Sequence, residues 1–111
     1  MIGYVTLGTN DLARATRFYD ALLAEIGAKR MMQTERFVMW SVAPDKPALG
    51  VFIPYDGKQA TAGNGTMVAL VVDSPAKVEA LHRKALELGA TDEGPAGPRL
   101  LPGFHAGYFR D

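Results

Sequence analysis

Two stretches of the chain decide its fold, and each is a strand pattern followed by a helix pattern. Residues 2–27 read IGYVTLGTNDLARATRFYDALLAEIG, and residues 66–89 read TMVALVVDSPAKVEALHRKALELG. In both, a short β-forming segment precedes apolar residues at helical spacing, and a glycine ends the stretch. Val5 corresponds to Val68 at a shift of 63 positions. The repeat predicts two strand–helix–strands units related by a pseudo-two-fold axis.

The starts of both helices carry capping signals. Thr9, Asn10 and Asp11 offer side chains that accept backbone N–H groups, and Ser74-Pro75 combines a capping serine with proline at the first helical position. The predicted strands cover residues 2–8, 29–33, 36–42, 49–55, 66–73, 91–101 and 104–110. We therefore predict one α+β domain over residues 1–111, with a first βαβββ module in 1–57 and a second in 64–111. The second module has room for only two strands after its helix, so it lacks its last strand.

Composition excludes several classes of function. The chain has 111 residues, with 12 basic and 12 acidic side chains and no cysteine. A net charge of zero argues against nucleic acid or an anionic membrane as the partner. The absence of cysteine excludes thiol nucleophiles, disulfides and iron–sulfur clusters. No apolar run approaches the length of a membrane span, so we expect a cytoplasmic protein that binds neither membranes nor nucleic acid.

The alternation of each first strand divides its side chains between two faces. Val5 and Leu7 are expected to face the helix of the first module. Tyr4 and Thr6 then point to the opposite face, as do Met67 and Ala69 in the second module. We expect this second face to line a cleft.

Three stretches carry a resemblance to a known family. They are Gly3-Tyr4-Val5-Thr6-Leu7 running on to Phe18-Tyr19, residues 63–70 with the sequence GNGTMVAL, and Gly107-Tyr108-Phe109-Arg110-Asp111. In their order and spacing the chain resembles the vicinal oxygen chelate (VOC) superfamily, which contains glyoxalase I, bleomycin resistance proteins and extradiol dioxygenases. The resemblance implies a cupped mixed sheet with helices on its outer face, a small-molecule cleft and a homodimer.

The resemblance also implies where a divalent metal would be bound. Family ligands are His, Gln or Glu on the first strand of each module and Glu on the last. Here the first-strand positions fall on Tyr4 and Met67, and residues 49–55 contain no His, Asp, Glu or Gln. A neutral tyrosine and a thioether are poor ligands for Mg²⁺, Mn²⁺ or Zn²⁺. We therefore predict no metal and no other cofactor.

Two hypotheses for the cleft remain open. In the first, the protein is a glyoxalase-like lyase or isomerase that uses Tyr4 and His105, since an imidazole transfers protons near neutral pH. In the second, it is a resistance-type protein that sequesters its ligand without catalysis. The predicted pocket residues are Thr6, Trp40, Phe52, Met67 and Ala69, with core packing as the alternative for the two aromatic residues and for Met67. The alternative for His105 is a hydrogen-bonded structural role, and the alternative for Tyr4 is a half-buried side chain that fills the family's metal position. His82 is predicted to be a surface or boundary residue of the second helix.

Overall fold

The computed structural model describes residues 1–111 and confirms an α+β fold. Its elements, in chain order, are β1 (Tyr4–Gly8), α1 (Leu12–Ala24), β2 (Lys29–Gln33), β3 (Phe37–Ser41), β4 (Ala48–Phe52), α2 (Pro75–Glu87), β5 (Thr91–Pro98) and β6 (His105–Arg110). The chain forms two compact units, Met1–Val68 and Ala69–Asp111. Neither 13-residue helix has the length and apolar character needed to cross a membrane.

The first unit is a four-stranded mixed sheet with α1 packed on one face. The strand order is β1-β4-β3-β2, in which β1 pairs with β4 in parallel and the other pairs are antiparallel. The apolar stripe of α1 buries Tyr19, Leu22 and Leu23. On the sheet, Trp40 and Val51 are almost completely buried. This layer between α1 and the sheet is the core of the unit.

Local sequence explains how α1 begins and ends. The Asp11 side chain accepts a hydrogen bond from the Arg14 backbone N–H, which makes Asp11 the N-cap among the three predicted candidates. Gly27 follows the helix with φ +79°, a conformation that glycine adopts without steric cost. Asn10 has a different role. Its side chain exchanges two hydrogen bonds with the backbone of Ala60, which fixes the polar linker of residues 56–65 to the start of α1.

The outer edge of the sheet is irregular. β2 is exposed along its whole length, and its register with β3 shifts between Arg30 and Met32. A bulge together with charged residues such as Lys29 disfavours pairing with another chain. The edge of β2 is therefore protected against aggregation.

The second unit places α2 against the two-stranded antiparallel sheet β5-β6. Ser74 caps the helix by accepting from the Lys77 N–H, and Pro75 occupies the first turn, as predicted. Leu81, His82 and Ala85 are the buried residues of α2. Gly89 ends the helix with φ +107°.

The predicted strand over residues 66–73 is wrong. These residues form no ladder, although their exposure alternates, with Val68, Leu70 and Val72 half-buried and Met67, Ala69 and Val71 exposed. In the first unit, β1 is a strand because β4 supplies its hydrogen bonds. No counterpart of β4 follows β6 within residues 1–111. An extended segment becomes a strand only when a partner accepts and donates its backbone hydrogen bonds.

Candidate functional site

The register of the first sheet defines an open face, the one opposite α1. Tyr4, Thr6 and Gly8 of β1 lie beside Ala48, Gly50 and Phe52 of β4. Phe37 and Met39 of β3 pair with Phe52 and Gly50. Because paired residues share a face, these side chains form one surface. Tyr4, Thr6 and Phe52 of the predicted site are therefore on the same face.

Two aromatic rings form a flat surface on the open face. The rings of Phe37 and Phe52 are stacked, with centroids 4.5 Å apart and planes 12° from parallel. Both side chains are half-buried, so part of each ring remains accessible. Phe37 was not among the predicted pocket residues. Its cross-strand pairing with Phe52 becomes visible only once the register of β3 and β4 is known.

Gly50 permits the close packing of this surface. A Cβ atom at Gly50 would lie 2.6 Å from Phe52 Cε1 and 2.9 Å from Met39 Cγ. Both side chains therefore extend across β4 in the space that any larger residue would occupy. A lone glycine inside a strand signals close approach by another group, and that signal was present in the sequence.

Polar groups on the open face come from β1. Tyr4 is 62% exposed, and Thr6 is also exposed. Their hydroxyl groups can donate and accept hydrogen bonds. The nine open-face positions of β1, β3 and β4 are Tyr4, Thr6, Gly8, Phe37, Met39, Ser41, Ala48, Gly50 and Phe52, and none carries a charge. This surface is chemically suited to an uncharged, largely apolar molecule.

The prediction of Trp40 as a pocket wall is wrong. Trp40 is 2% exposed and pairs with Leu49, on the face that α1 covers. Its ring lies 5.9 Å from that of Tyr19, and its indole N–H donates to Asp20 Oδ1 at 2.8 Å. Trp40 is three positions from Phe37, so the two side chains project from opposite faces. Trp40 is a core residue.

Asp20 connects α1 to two strands of the sheet. Its carboxylate accepts from Arg30 Nε at 2.9 Å as well as from Trp40. The Arg30 guanidinium also donates to Gln33. Hydrogen bonding to Arg30, with a smaller contribution from Trp40, lowers the pKa of Asp20 despite an opposing effect of burial. This cluster lies on the helix side of the sheet and stabilises packing there.

The two histidines lie between α2 and β5-β6. His82 is buried, so its prediction as a surface or boundary residue is wrong. Its Nε2 atom lies 3.1 Å from Tyr108 O and 3.3 Å from Asp92 Oδ1. His105 Nε2 is 3.8 Å from Glu79 Oε1 of α2 and is buried without a hydrogen-bond partner. His105 shares its face of β6 with Gly107, where a Cβ would lie 3.0 Å from the His82 ring. His105 thus faces the helix, which contradicts its predicted place in the cleft.

Met67 and Ala69 are both exposed, as their predicted facing requires. Met67 is 71% exposed, and the half-buried positions between and after them are Val68 and Leu70. Their participation in a pocket stays a prediction, because residues 66–73 are not a strand.

The residues at the family's metal positions do not fit a divalent ion. The first-strand positions hold a phenol and a thioether, and β4 contributes only Ala48–Phe52 with no ligating side chain. No three His, Asp or Glu side chains come together anywhere in residues 1–111. Such ions need several carboxylate or imidazole ligands, which these positions do not supply.

Comparison with solved structures identifies the family. Over 100% of this chain, and 89% of the other, the fold matches the crystal structure of a glyoxalase/bleomycin resistance protein from Albidiferax ferrireducens T118, with a TM-score of 0.88 and 32% identity. The chain belongs to the glyoxalase/bleomycin resistance protein family. The resemblance to the VOC superfamily is thereby confirmed. No family model and no curated protein matches the chain.

Two further structures support the fold of this family member. A glyoxalase-related enzyme from Fulvimarina pelagi matches with a TM-score of 0.73 and 23% identity, covering 100% of this chain and 80% of the other. Lactoylglutathione lyase from Agrobacterium tumefaciens matches with a TM-score of 0.65 and 21% identity, covering 100% and 85%. At these identities the likeness concerns the fold and carries no activity to this chain.

Proposed function

We propose that this family member binds a small, uncharged, planar organic molecule on the open face of its first sheet, and sequesters it without metal and without catalysis. The observation that carries the proposal is the composition of that face. It combines the stacked Phe37 and Phe52 rings with the Tyr4 and Thr6 hydroxyls, and the strands β1, β3 and β4 present no charged side chain on it. The register adds one cation to this face, Lys29 of β2, which lies beside Ser41 at the edge of the sheet opposite β1.

Stacking and desolvation determine which ligand class fits. A planar ring laid against Phe37 or Phe52 gains offset or edge contacts of about 0.5–1.5 kcal/mol beyond the burial of area. A phosphate or carboxylate ligand would lose its hydration and find no cationic partner on β1, β3 or β4. This loss of hydration costs several kcal/mol. The Tyr4 hydroxyl supplies a donor for a carbonyl or ring nitrogen of the ligand.

The catalytic hypothesis has less support. A lyase or isomerase needs a group that transfers a proton at the reacting atom. The open-face positions of β1, β3 and β4 include no imidazole or carboxylate, and His105 faces Glu79 of α2. Sequestration needs only a complementary surface, which this face supplies.

A homodimer is part of the proposal. Residues 67–73 make no backbone–backbone hydrogen bond and expose Met67 and Val71, the latter by 89%. Exposed strand-like segments of this kind are normally covered or paired. Light scattering at micromolar concentration is expected to detect a dimer; a monodisperse monomer would contradict this part of the proposal.

A calorimetric screen of planar aromatic compounds against aliphatic compounds of equal size tests the binding function. We expect the aromatic set to bind and Phe52→Leu to weaken binding by about 0.5–1.5 kcal/mol. Tyr4→Phe should weaken it by about 1 kcal/mol. Tyr55→Phe, at a fully exposed position outside the strands, is the matched control.

Turnover measurements on the same ligands separate sequestration from catalysis. We expect no conversion of bound ligand, with or without added divalent metal, and no effect of His105→Ala on affinity. Conversion that falls ~10²–10⁴-fold in His105→Ala would favour the enzyme hypothesis and overturn the proposed sequestering role.

A further inference from the structure

The turn at residues 63–66 contains a reactive pair, Asn64-Gly65. Asn64 is exposed, and the only backbone bond of the turn joins Thr66 N to Gly63 O at 3.1 Å. The Gly65 N–H donates no hydrogen bond, and the Asn64 side chain has no partner. No atom outside residues 64–66 lies within 4 Å of the place where a Cβ of Gly65 would be. The amide nitrogen of Gly65 is therefore both unprotected and sterically accessible.

The chain contains a similar pair, Asp56-Gly57, in which the corresponding groups form hydrogen bonds. In Asp56-Gly57 the Gly57 N–H donates to Pro54 O at 2.9 Å. The Asp56 carboxylate accepts from the Lys58 N–H, also at 2.9 Å. Attack by the Gly57 nitrogen on the Asp56 side chain would require both bonds to break first. The comparison shows that a following glycine alone does not create the reactive arrangement.

We propose that Asn64 is a site of spontaneous deamidation. Hydroxide removes the Gly65 amide proton, and the nitrogen attacks Asn64 Cγ. A new N–Cγ bond forms, the Cγ–Nδ2 bond breaks, and the side-chain nitrogen takes a proton from water and leaves as ammonia. Water then opens the resulting five-membered imide at either carbonyl, which leaves aspartate or isoaspartate at position 64. The reaction consumes only water and involves no oxidant or metal.

The glycines on both sides favour ring closure. Gly63 and Gly65 have φ values of +68° and +98°, in a region that residues with a side chain rarely adopt. Glycine also leaves the backbone free to rotate toward the cyclic intermediate. Asn10 holds the linker at Ala60, whereas the backbone N–H groups of residues 61–65 donate no hydrogen bond.

The products change the segment that follows. Either one adds a negative charge to a chain whose formal net charge is zero. The isoaspartate product also inserts a backbone methylene three positions before Met67, at the entrance to the unpaired segment 66–73. Modification at this turn would therefore alter the charge and the spacing of the linker between the two modules.

Peptide mapping by mass spectrometry in ¹⁸O-labelled water tests the proposal on the full chain. During incubation at mildly alkaline pH, we expect label to enter at position 64 and an acidic species to accumulate on ion exchange. Asn64→Gln should remove the acidic species. Gly65→Ala should slow its formation by roughly tenfold, because a Cβ hinders the attacking nitrogen.

The Asp56→Asn variant is the matched control, because it places the same electrophile before a glycine whose N–H donates to Pro54 O. Slower deamidation at position 56 than at Asn64 in this variant would support the structural argument. Equal or faster deamidation at position 56, or an Asn64 amide that persists unchanged, would overturn it. An alanine at position 65 would be strained at φ +98°, so Gly65→Ala also alters the turn. The Asn64→Gln variant leaves Gly65 in place and tests the proposal without that strain.

Discussion

The two units have similar sequence patterns, but the first forms a four-stranded sheet and the second only a two-stranded sheet. In the first, β1 is hydrogen-bonded to β4, and α1 covers a four-stranded sheet whose core contains Trp40 and Val51. In the second, α2 covers two strands, and residues 66–73, which span the boundary between the units, stay outside any ladder. A strand pattern in the sequence therefore specifies which face of a segment is apolar, while strand formation also requires a second segment that pairs with its backbone.

The two units also differ in how their helices are fixed to the sheet. α1 is held by aromatic packing and by the Asp20 cluster with Arg30 and Trp40. α2 is held by Leu81 and Ala85 together with the buried imidazole of His82.

Hydrogen exchange should give the largest contrast. Amides of β3 and β4 are expected to open only with global unfolding, at about 5–15 kcal/mol, whereas residues 66–73 should exchange with an opening free energy near zero. Exchange mass spectrometry on dilute protein measures both in one sample, with residues 61–65, whose backbone N–H groups donate no hydrogen bond, as the reference. Protection of residues 66–73 that appears only at high concentration would indicate pairing with a second copy. Equal protection of β4 and residues 66–73 in the monomer would contradict the comparison.

Core truncation should affect the first unit more than the second. We expect Trp40→Ala to lower the free energy of unfolding by about 3–5 kcal/mol and Leu81→Ala by about 2–4 kcal/mol, because Trp40 leaves the larger cavity. Urea unfolding monitored by circular dichroism gives both values. Tyr55→Ala, which removes a fully exposed ring, is the control and should change stability by less than about 0.5 kcal/mol. A smaller effect of Trp40→Ala than of Leu81→Ala would mean that the second unit has the tighter core.

The two histidines of the second unit should differ in importance. His82→Ala is expected to cost about 1–3 kcal/mol, because Tyr108 O and Asp92 lose a buried partner. His105→Ala should cost less, since its Nε2 atom makes no hydrogen bond in the folded chain. Thermal and urea unfolding of the two variants at neutral pH would measure the difference. Equal losses would show that His105 contributes an interaction comparable to that of His82.

The Asp20 cluster should give the smallest effect and a defined pH dependence. The folded-state pKa of Asp20 is depressed by Arg30, so its stabilising contribution is complete above its ordinary value of 3.8 and is lost as the pH falls through the lower folded value. Both side chains are more than one-third exposed, so we expect about 1 kcal/mol or less. Asp20→Asn should therefore lower stability near pH 7 and remove part of the acid-dependent loss. An unchanged pH profile in this variant would assign that loss to other carboxylates.

The sequence predicted the helices, their caps and the facing of β1 for local reasons. Asp11 and Ser74 satisfy backbone N–H groups within three residues of themselves, and Gly27 and Gly89 adopt positive φ without help from distant residues. The alternation that places Tyr4 and Thr6 away from α1 likewise depends only on a period of two. The family resemblance rests on these same local patterns and on their spacing along the whole chain.

Only the tertiary structure decided the facing of Trp40 and His105 and the state of residues 66–73. In β3, three consecutive positions, Val38, Met39 and Trp40, are all apolar and all buried, so alternation does not reveal which of them faces α1. The pairing of Trp40 with Leu49 and of Phe37 with Phe52 settles that question through long-range hydrogen bonds. His105 was assigned to the cleft from its position in the chain, yet its face of β6 is set by packing against Glu79 and His82 of α2. A sequence specifies local conformation through neighbouring residues, whereas register and partner strands depend on contacts that form only when distant segments meet.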